Sequence, residues 1–195
     1  MKTTNTKEKL LEATLRLISE KGYLGATTRE IAHQAGVTEL TLFRNFTTKE
    51  NLVESMLKRY TFLPKLRELL PQFDHTSYEE SLRIIGLRFL ETLTENKSLV
   101  KIMLSEMHSY PEKIRAIYHN FIGELILTLA DHLVTLQKRS ILRRFPPEIA
   151  ARVFLGMIFS YFRVEEILQR RSIPKAEQTK MIRAFVDLFV HGTLK

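Results

Sequence analysis

Residues 27–49 read TTREIAHQAGVTELTLFRNFTTK, and this stretch decides the fold. Its first half has the inward-facing apolar residues Ile31 and Ala32 of a short helix, followed by the tight corner AGV at 35–37. A second helix with inward-facing Leu42 follows, and the small residues of the corner let the two helices cross at close range. The pattern predicts a helix-turn-helix, although periodicity alone also fits a plain corner inside a helical protein.

Capping signals predict four short helices in the first sixty residues. Thr27 and Glu30 have the spacing of a capping box, in which each side chain bonds the other residue's free backbone amide, and Thr47 and Glu50 repeat it. The first predicted helix covers 7–20 and ends before Gly22, and the second covers 28–34 and ends before Gly36. The third covers 38–45 and is capped by Thr38, and the fourth begins at 47–50.

The remaining helices are longer and lie in the C-terminal part of the chain. Proline is tolerated in the first turn of a helix and rarely later, so Pro111, Pro147 and Pro174 mark three starts. Apolar periodicity places helices at about 77–95, 97–108, 111–139, 147–170 and 175–192. The sequence therefore predicts an all-α fold of about nine helices, with a three-helix head at 1–50 and a larger helical body at 51–195.

Composition excludes several classes of protein. Of the 195 residues, 44% are hydrophobic and 27% charged, as in ordinary globular proteins, and there is no cysteine for a disulfide or a thiolate metal site. The uncharged apolar run at 153–162 is shorter than the ~20 residues of a membrane-spanning helix. Because the polar N-terminus also lacks the apolar segment of a secretory signal, we expect a cytoplasmic protein.

The net charge of +8 is spread along the chain rather than gathered in the head. Residues 1–60 contribute +3 and residues 61–195 contribute +5. This distribution permits DNA binding, and it equally permits another anionic partner or a basic surface without a specific partner.

Several motifs at fixed spacing extend over some forty positions of the N-terminal part. They are LLEA at 10–13, Gly22-Tyr23, TTREIA at 27–32, AGVT at 35–38, TLF at 41–43, Phe46 and Lys49-Glu50. Together they resemble the TetR family of bacterial transcriptional regulators, over about a quarter of the chain. The resemblance implies a head that binds double-stranded DNA and a helical body that binds a small-molecule effector and dimerises.

The resemblance also implies which residues contact DNA. Thr27 would cap its helix at the DNA backbone, Arg44 lies where family members reach the major groove, and Lys49 matches a phosphate-binding lysine. The residues expected at the DNA are Thr27, Thr28, Arg29, Thr38, Glu39, Leu40, Thr41, Phe43, Arg44, Asn45 and Lys49.

Three of these positions depart from the usual pattern of the family. Leu40 replaces a small residue and has the chemistry to contact a thymine methyl group, while Phe43 replaces a tyrosine that often binds phosphate. Asn45 replaces an aromatic residue or histidine. We therefore expect DNA binding to be retained with an operator sequence of its own. Glu39 has two interpretations, a solvated carboxylate or an acceptor from cytosine N4.

The last two long helices carry more apolar residues than one core-facing side needs. Residues 153–164 leave hardly any polar face, and the helix at 175–192 shows a similar excess. We expect two such helices from each subunit to form an intersubunit four-helix bundle at 147–170 and 175–192, which is also the family's dimer architecture; the alternative is a single well-buried core. A twofold dimer implies a near-palindromic operator.

An effector site is expected in the body, where the resemblance implies an apolar cavity. The candidate lining residues are Phe89, Met103, Met107, Tyr118, Phe121, Leu125, Phe159 and Phe162. Arg88 and Arg163 are candidates for an anionic group of the effector, with salt-bridged arginines as the alternative. No two histidines lie three or four residues apart, so neither a metal nor another cofactor is expected.

Two functions follow from these observations. The first is a ligand-responsive transcriptional regulator that binds its operator as a homodimer and is released by a small, largely hydrophobic effector. Repression is the more common mode of action in the family, so we expect a repressor. The second is a helical interaction module with the same fold and no sequence-specific DNA binding. An enzyme is not expected, because no nucleophile elbow, P-loop, HExxH or GxGxxG motif occurs.

Overall fold

Ten α-helices account for most of residues 5–195, the part of the chain that the computed structural model describes. They are α1 (Thr6–Gly25), α2 (Thr28–Gln34), α3 (Glu39–Phe46), α4 (Lys49–Tyr60), α5 (Phe62–Leu69), α6 (Tyr78–Glu95), α7 (Lys97–Glu106), α8 (Glu112–Lys138), α9 (Pro147–Phe162) and α10 (Lys175–Thr193). The described residues form no β-strand, which confirms the all-α fold. Within the same residues, no helix is both long and apolar enough to cross a membrane.

Two details differ from the prediction. Helix α5 was not predicted; Pro64 is its third residue, within the first turn that tolerates proline. Helix α4 is capped by Thr48, whose hydroxyl accepts a hydrogen bond from the Asn51 amide, and not by Thr47. Thr47 instead ends α3, with a φ of 63°.

Gly22 interrupts α1 in the way that the sequence predicts. Its φ of 74° lies in the region that favours glycine, and its ψ of 174° leaves the helical conformation. The chain then makes one further turn to Gly25. The break redirects Tyr23, which is buried, into the core of the N-terminal part of the chain.

The chain divides into two compact units. The first contains the described residues up to Thr61 together with Ser98–Phe121, and its core gathers apolar side chains of α1 to α4 with those of α7 and the start of α8. Leu52, Val53, Met56 and Leu57 of α4 are buried in this core. This unit is larger than the predicted head, whose boundary at residue 50 stays a prediction.

The second unit contains Phe62–Lys97 and Ile122–Lys195. Helix α6 packs against α5, α9 and α10, and Gly86 permits the close approach of α10. A Cβ atom at Gly86 would lie 3.1 Å from Ile182 and 3.3 Å from Ile158. The π-helical turn Arg163–Leu168, which follows α9, ends this helix near the predicted residue 170.

Candidate nucleic-acid interface and effector groove

Two capped helices, α2 and α3, form the candidate DNA-binding surface. The Thr27 hydroxyl accepts from the Glu30 amide at 3.2 Å, and the Glu30 carboxylate accepts from the Thr27 amide at 3.2 Å, which is a complete capping box. Thr38 caps α3 by accepting from the Thr41 amide at 3.2 Å. The predicted helix-turn-helix is thereby confirmed, with both caps at the expected residues.

The carboxylate of Glu30 also ties α2 to α1. Lys21 Nζ lies 2.8 Å from Glu30 Oε1. The hydrogen bond from Lys21, followed by those from Thr27, lowers the pKa of Glu30 to about 2. The carboxylate therefore stays ionised at physiological pH and holds the start of α2 in place.

One side of α3 is buried and the other faces solvent. Leu42 and Phe46 are buried in the first unit. Leu40 is 70% exposed and Phe43 41% exposed, and Arg44 beside them is also exposed. These three residues lie at helical spacing on the outward side, the side that a recognition helix presents to the major groove.

Several polar residues expected at the DNA are instead bonded to each other. The Thr28 hydroxyl donates to Glu39 Oε1 at 2.5 Å, which connects the first turns of α2 and α3. The Thr38 and Thr41 hydroxyls lie 2.9 Å apart, and Asn45 Nδ2 donates to the Thr41 carbonyl at 2.8 Å. One oxygen of the Glu39 carboxylate is thus bonded inside the head, and both interpretations of its role at the DNA stay predictions.

Two arginines of this surface remain available. Arg29 of α2 and Arg44 of α3 are exposed, and neither forms a hydrogen bond or ion pair with another residue in 5–195. A guanidinium without a protein partner can make bidentate bonds to guanine or to phosphate.

Lys49, expected to bind phosphate, lies against Tyr23. Its Nζ donates to the Tyr23 carbonyl at 2.5 Å and lies 4.1 Å from the centre of the Tyr23 ring. Burial lowers the pKa of Lys49, against the opposing effect of Glu50 and Glu30. The role of this lysine at the DNA stays a prediction, and its observed contacts fix the start of α4.

Three tyrosines of the first unit pack against one another, and one of them, Tyr23, contacts Lys49. The ring centres of Tyr23 and Tyr110 are 5.8 Å apart in an edge-on arrangement, and those of Tyr110 and Tyr118 are 5.9 Å apart and stacked. Burial, followed by the nearby Glu106 carboxylate, raises the pKa of Tyr110 to about 12. The Tyr118 hydroxyl, which is fully buried, has no hydrogen-bond partner among residues 5–195.

The eight residues predicted to line an effector cavity fall into two sets. Phe89, Leu125, Phe159 and Phe162 belong to the second unit, and Met103, Met107, Tyr118 and Phe121 belong to the first. In the second unit, Phe89 packs on Phe62 with ring centres 5.1 Å apart. Tyr118 is part of the core of the first unit. Their role in effector binding stays a prediction.

A groove of about 840 Å³ lies in the second unit, and none of the eight residues predicted to line a cavity is among its lining residues. Arg83 and Arg88 of α6 line it, but each is paired on its own helix, Arg83 with Glu80 and Arg88 with Glu91. The other lining residues are Leu69, Gln72, Phe73, Thr76, Ile84, Leu87, Glu91, Thr94, Glu95, Lys175, Gln178 and Thr179. These residues come from distant parts of the sequence, and Arg88 is the one among them that the sequence analysis names as an effector candidate.

Metal-binding side chains are not gathered within residues 5–195. His132 of α8 packs against Phe73 with ring centres 6.3 Å apart, and its Nε2 has no partner among these residues. Burial, followed by Arg139, lowers the pKa of His132, and Asp74 opposes the shift. This imidazole is therefore a neutral packing group.

Comparison with known proteins agrees with this architecture. Residues 10–56 match the description "Bacterial regulatory proteins, tetR family", and residues 80–192 match "AefR-like transcriptional repressor, C-terminal domain". The uncharacterised HTH-type transcriptional regulator YvkB of Bacillus subtilis is 33% identical over 189 residues, which are 96% of each chain. The nucleoid occlusion factor SlmA of Vibrio vulnificus is 25% identical over 80% of this chain and 82% of its own.

Solved structures show the same fold. A transcriptional regulator from Aquifex aeolicus has a TM-score of 0.70 and 26% identity, over 94% of this chain and 99% of its own. The regulator FadR of Bacillus subtilis, in complex with stearoyl-CoA, has a TM-score of 0.73 and 19% identity, over 94% of this chain and 97% of its own.

The fold and the recognition surface define a helix-turn-helix regulator of transcription. More narrowly, the chain belongs to the TetR family of bacterial regulatory proteins. It is a DNA-binding transcriptional regulator.

Proposed function

We propose that the protein is a homodimeric repressor that binds a near-palindromic operator and leaves it when a small, largely hydrophobic effector binds. The outward face of α3 is the observation that supports this best, because Leu40 and Phe43 are exposed there beside the unpaired Arg44. Such a face suits the major groove of DNA. We assign the protein to the cytoplasm, where its DNA target would lie, and we assign it no catalytic activity and no cofactor.

The predicted DNA contacts remain our proposal for the interface. The threonine caps at the two helix N-termini suit phosphate, and Lys49 suits phosphate if it leaves the Tyr23 carbonyl. Arg29 and Arg44 are available for phosphate or bases. The bonded residues shape the recognition helix; they are Thr28, Glu39, Thr41 and Asn45.

The dimer proposal is supported by the apolar sides that α9 and α10 expose. On α9, Ile149 is 62% and Val153 48% exposed, and outside the local backbone of α9 no atom of residues 5–195 lies within 4 Å of where a Cβ of Gly156 would be. On α10, Leu188 is 67% exposed, and the space around Gly192 is equally open. Apolar side chains interspersed with glycine permit close helix packing, which supports burial of both helices against a second copy.

The effector is proposed to bind among the residues predicted to line the cavity. The effector would bind more tightly to a conformation of the dimer in which the spacing of the two heads does not match adjacent half-sites. Because of this difference in affinity, effector binding increases the fraction of dimers in that conformation, and these dissociate from the operator. We expect α4, which begins with Lys49, to transmit the change.

Selection from a random duplex library by the full chain tests the function. At about 150 mM salt, sequencing of the bound pool should reveal a palindrome, because this ionic strength weakens the sequence-independent phosphate contacts and base contacts then decide which sequences stay bound. Arg44→Ala should weaken binding to that palindrome by about tenfold or more. Arg16→Ala is the matched control, since this exposed arginine of α1 pairs with Glu20 and lies outside α2 and α3.

Failure to enrich any sequence with folded, dimeric protein, before and after refolding to remove bound small molecules, would contradict the proposal. Together with indifference to salt and to Arg44→Ala, that result would favour the helical interaction module.

A further inference from the structure

Leu40 has an exposure that the folded chain does not explain. At 70% it is the most exposed of the large hydrophobic residues in the described chain, and it lies in the first turn of the recognition helix. Arg44 lies one turn further along, on the same side of α3. Leu40 suits contact with an apolar group of a ligand. The unpaired Arg44 beside it suits hydrogen-bond acceptors of the same ligand.

The neighbouring polar side chains are already engaged. The Glu39 carboxylate accepts from Thr28, the Thr41 hydroxyl is bonded to that of Thr38, and Asn45 donates to the Thr41 carbonyl. These bonds reduce the donor and acceptor capacity that remains for a base, although Oε2 of Glu39 and Oδ1 of Asn45 take no part in them. Among residues 5–195, the outward side chains of α3 that make no hydrogen bond are Leu40, Phe43 and Arg44.

The major groove offers one apolar feature of its own, the 5-methyl group of thymine. Along an α-helix, four residues rise about 6 Å, and base pairs are spaced about 3.4 Å apart, so groups bound by Leu40 and Arg44 lie about two base pairs apart. We propose that Leu40 reads a thymine methyl group in each half-site, within about two base pairs of a guanine bound by Arg44.

This inference rests on the proposed function, and the selected palindrome provides the substrate for its test. Each thymine of the half-sites is replaced in turn by deoxyuridine, which removes only the methyl group, and Kd is measured with the full chain. One position should show about fourfold weaker binding per half-site, the loss expected for one buried methyl group.

A mutant cycle assigns the effect to its residue. Leu40→Ala should bind the thymine and deoxyuridine duplexes equally well, because the group that contacts the methyl is gone. Leu24→Ala, which truncates a leucine of α1 that is 60% exposed, should retain the fourfold difference. Deoxyuridine outside the half-sites controls for altered DNA flexibility.

The outcomes separate the two proposals. If Kd for the selected palindrome is unchanged by every deoxyuridine substitution, the proposal that Leu40 reads a methyl group is overturned, and the proposed regulatory function is unaffected. A deoxyuridine effect that persists undiminished in Leu40→Ala overturns the assignment to Leu40. Failure to select any sequence contradicts the proposed function itself.

Discussion

At the scale of single residues, Gly22 is constrained twice. Its φ of 74° and ψ of 174° suit glycine alone, and a Cβ atom would overlap the carboxylate of Glu106. We expect Gly22→Ala to lower the free energy of unfolding by about 2–4 kcal/mol, as measured by urea denaturation. Gly36→Ala is the control, because φ is 71° there but no atom lies within 4 Å, so only backbone strain, about 1 kcal/mol, remains.

The steric part of this prediction is separable. Adding Glu106→Ala to Gly22→Ala should recover part of the loss, whereas adding it to Gly36→Ala should recover none. Equal losses for the two glycine variants would show that the Glu106 contact contributes nothing.

His132 gives the stability of the protein a pH dependence with a defined sign. Burial, with a contribution from Arg139, lowers its pKa in the folded state, so the unfolded state binds more protons below the ordinary value of 6.5. Stability should therefore be full above about pH 6.5 and decrease as the pH falls toward the folded-state pKa. Melting temperatures between pH 8 and 5 should show this decline in the natural chain and a weaker decline in His132→Phe.

At the scale of elements, the turn that follows α9 depends on a buried carboxylate. The Glu166 side chain is 2% exposed, and it lies 2.6 Å from Lys97 Nζ and accepts from the Ile173 amide at 2.9 Å. Burial would raise its pKa, but these two bonds outweigh that effect and lower it. Glu166→Gln should destabilise the fold by about 2 kcal/mol at pH 7.

The sign of the pH dependence distinguishes this effect from a general packing defect. A carboxylate with a lowered pKa stabilises the fold above its unfolded-state pKa, and that contribution is lost as the pH falls through the folded-state pKa. The difference in the free energy of unfolding between the natural chain and Glu166→Gln, measured by urea denaturation, should shrink as the pH falls below the ordinary value of about 4.5. A constant difference would contradict the ionic origin.

How far the sequence predicts an element depends on how local its cause is. The capping box of Thr27 and Glu30 and the stop at Gly22 involve neighbours in the chain, and both were predicted. Helix α5 was missed because Pro64 permits either a break or a first turn, and burial of Phe62, Leu63 and Leu66 decides between them.

The candidate site follows the same rule. The residues of α3 were identified, but the bond from Thr28 to Glu39 joins residues 11 apart and leaves no periodic signal. The groove in the second unit is lined by residues from several elements, and it was not predicted.

At the scale of the whole molecule, the proposed function depends on a second copy of the chain. The proposed dimer places the exposed Val153 and Leu188 in its interface, so a charge at either position should be buried without a partner. We expect Val153→Glu combined with Leu188→Glu to sediment as a monomer at concentrations where the natural chain is a dimer. Leu127→Glu is the matched control, because this leucine of α8 is as exposed as Val153, at 48%, and lies outside the proposed bundle.

The same variant separates assembly from DNA recognition. A monomer has one recognition helix, so its affinity for the palindrome should fall by about a hundredfold or more, whereas its affinity for an isolated half-site should match that of one natural head. Circular dichroism should show retained helix content, because the changed residues are exposed in the single chain. A variant that stays dimeric would contradict the proposed interface. A monomer that binds the palindrome as tightly as the natural chain would contradict the twofold mode of binding.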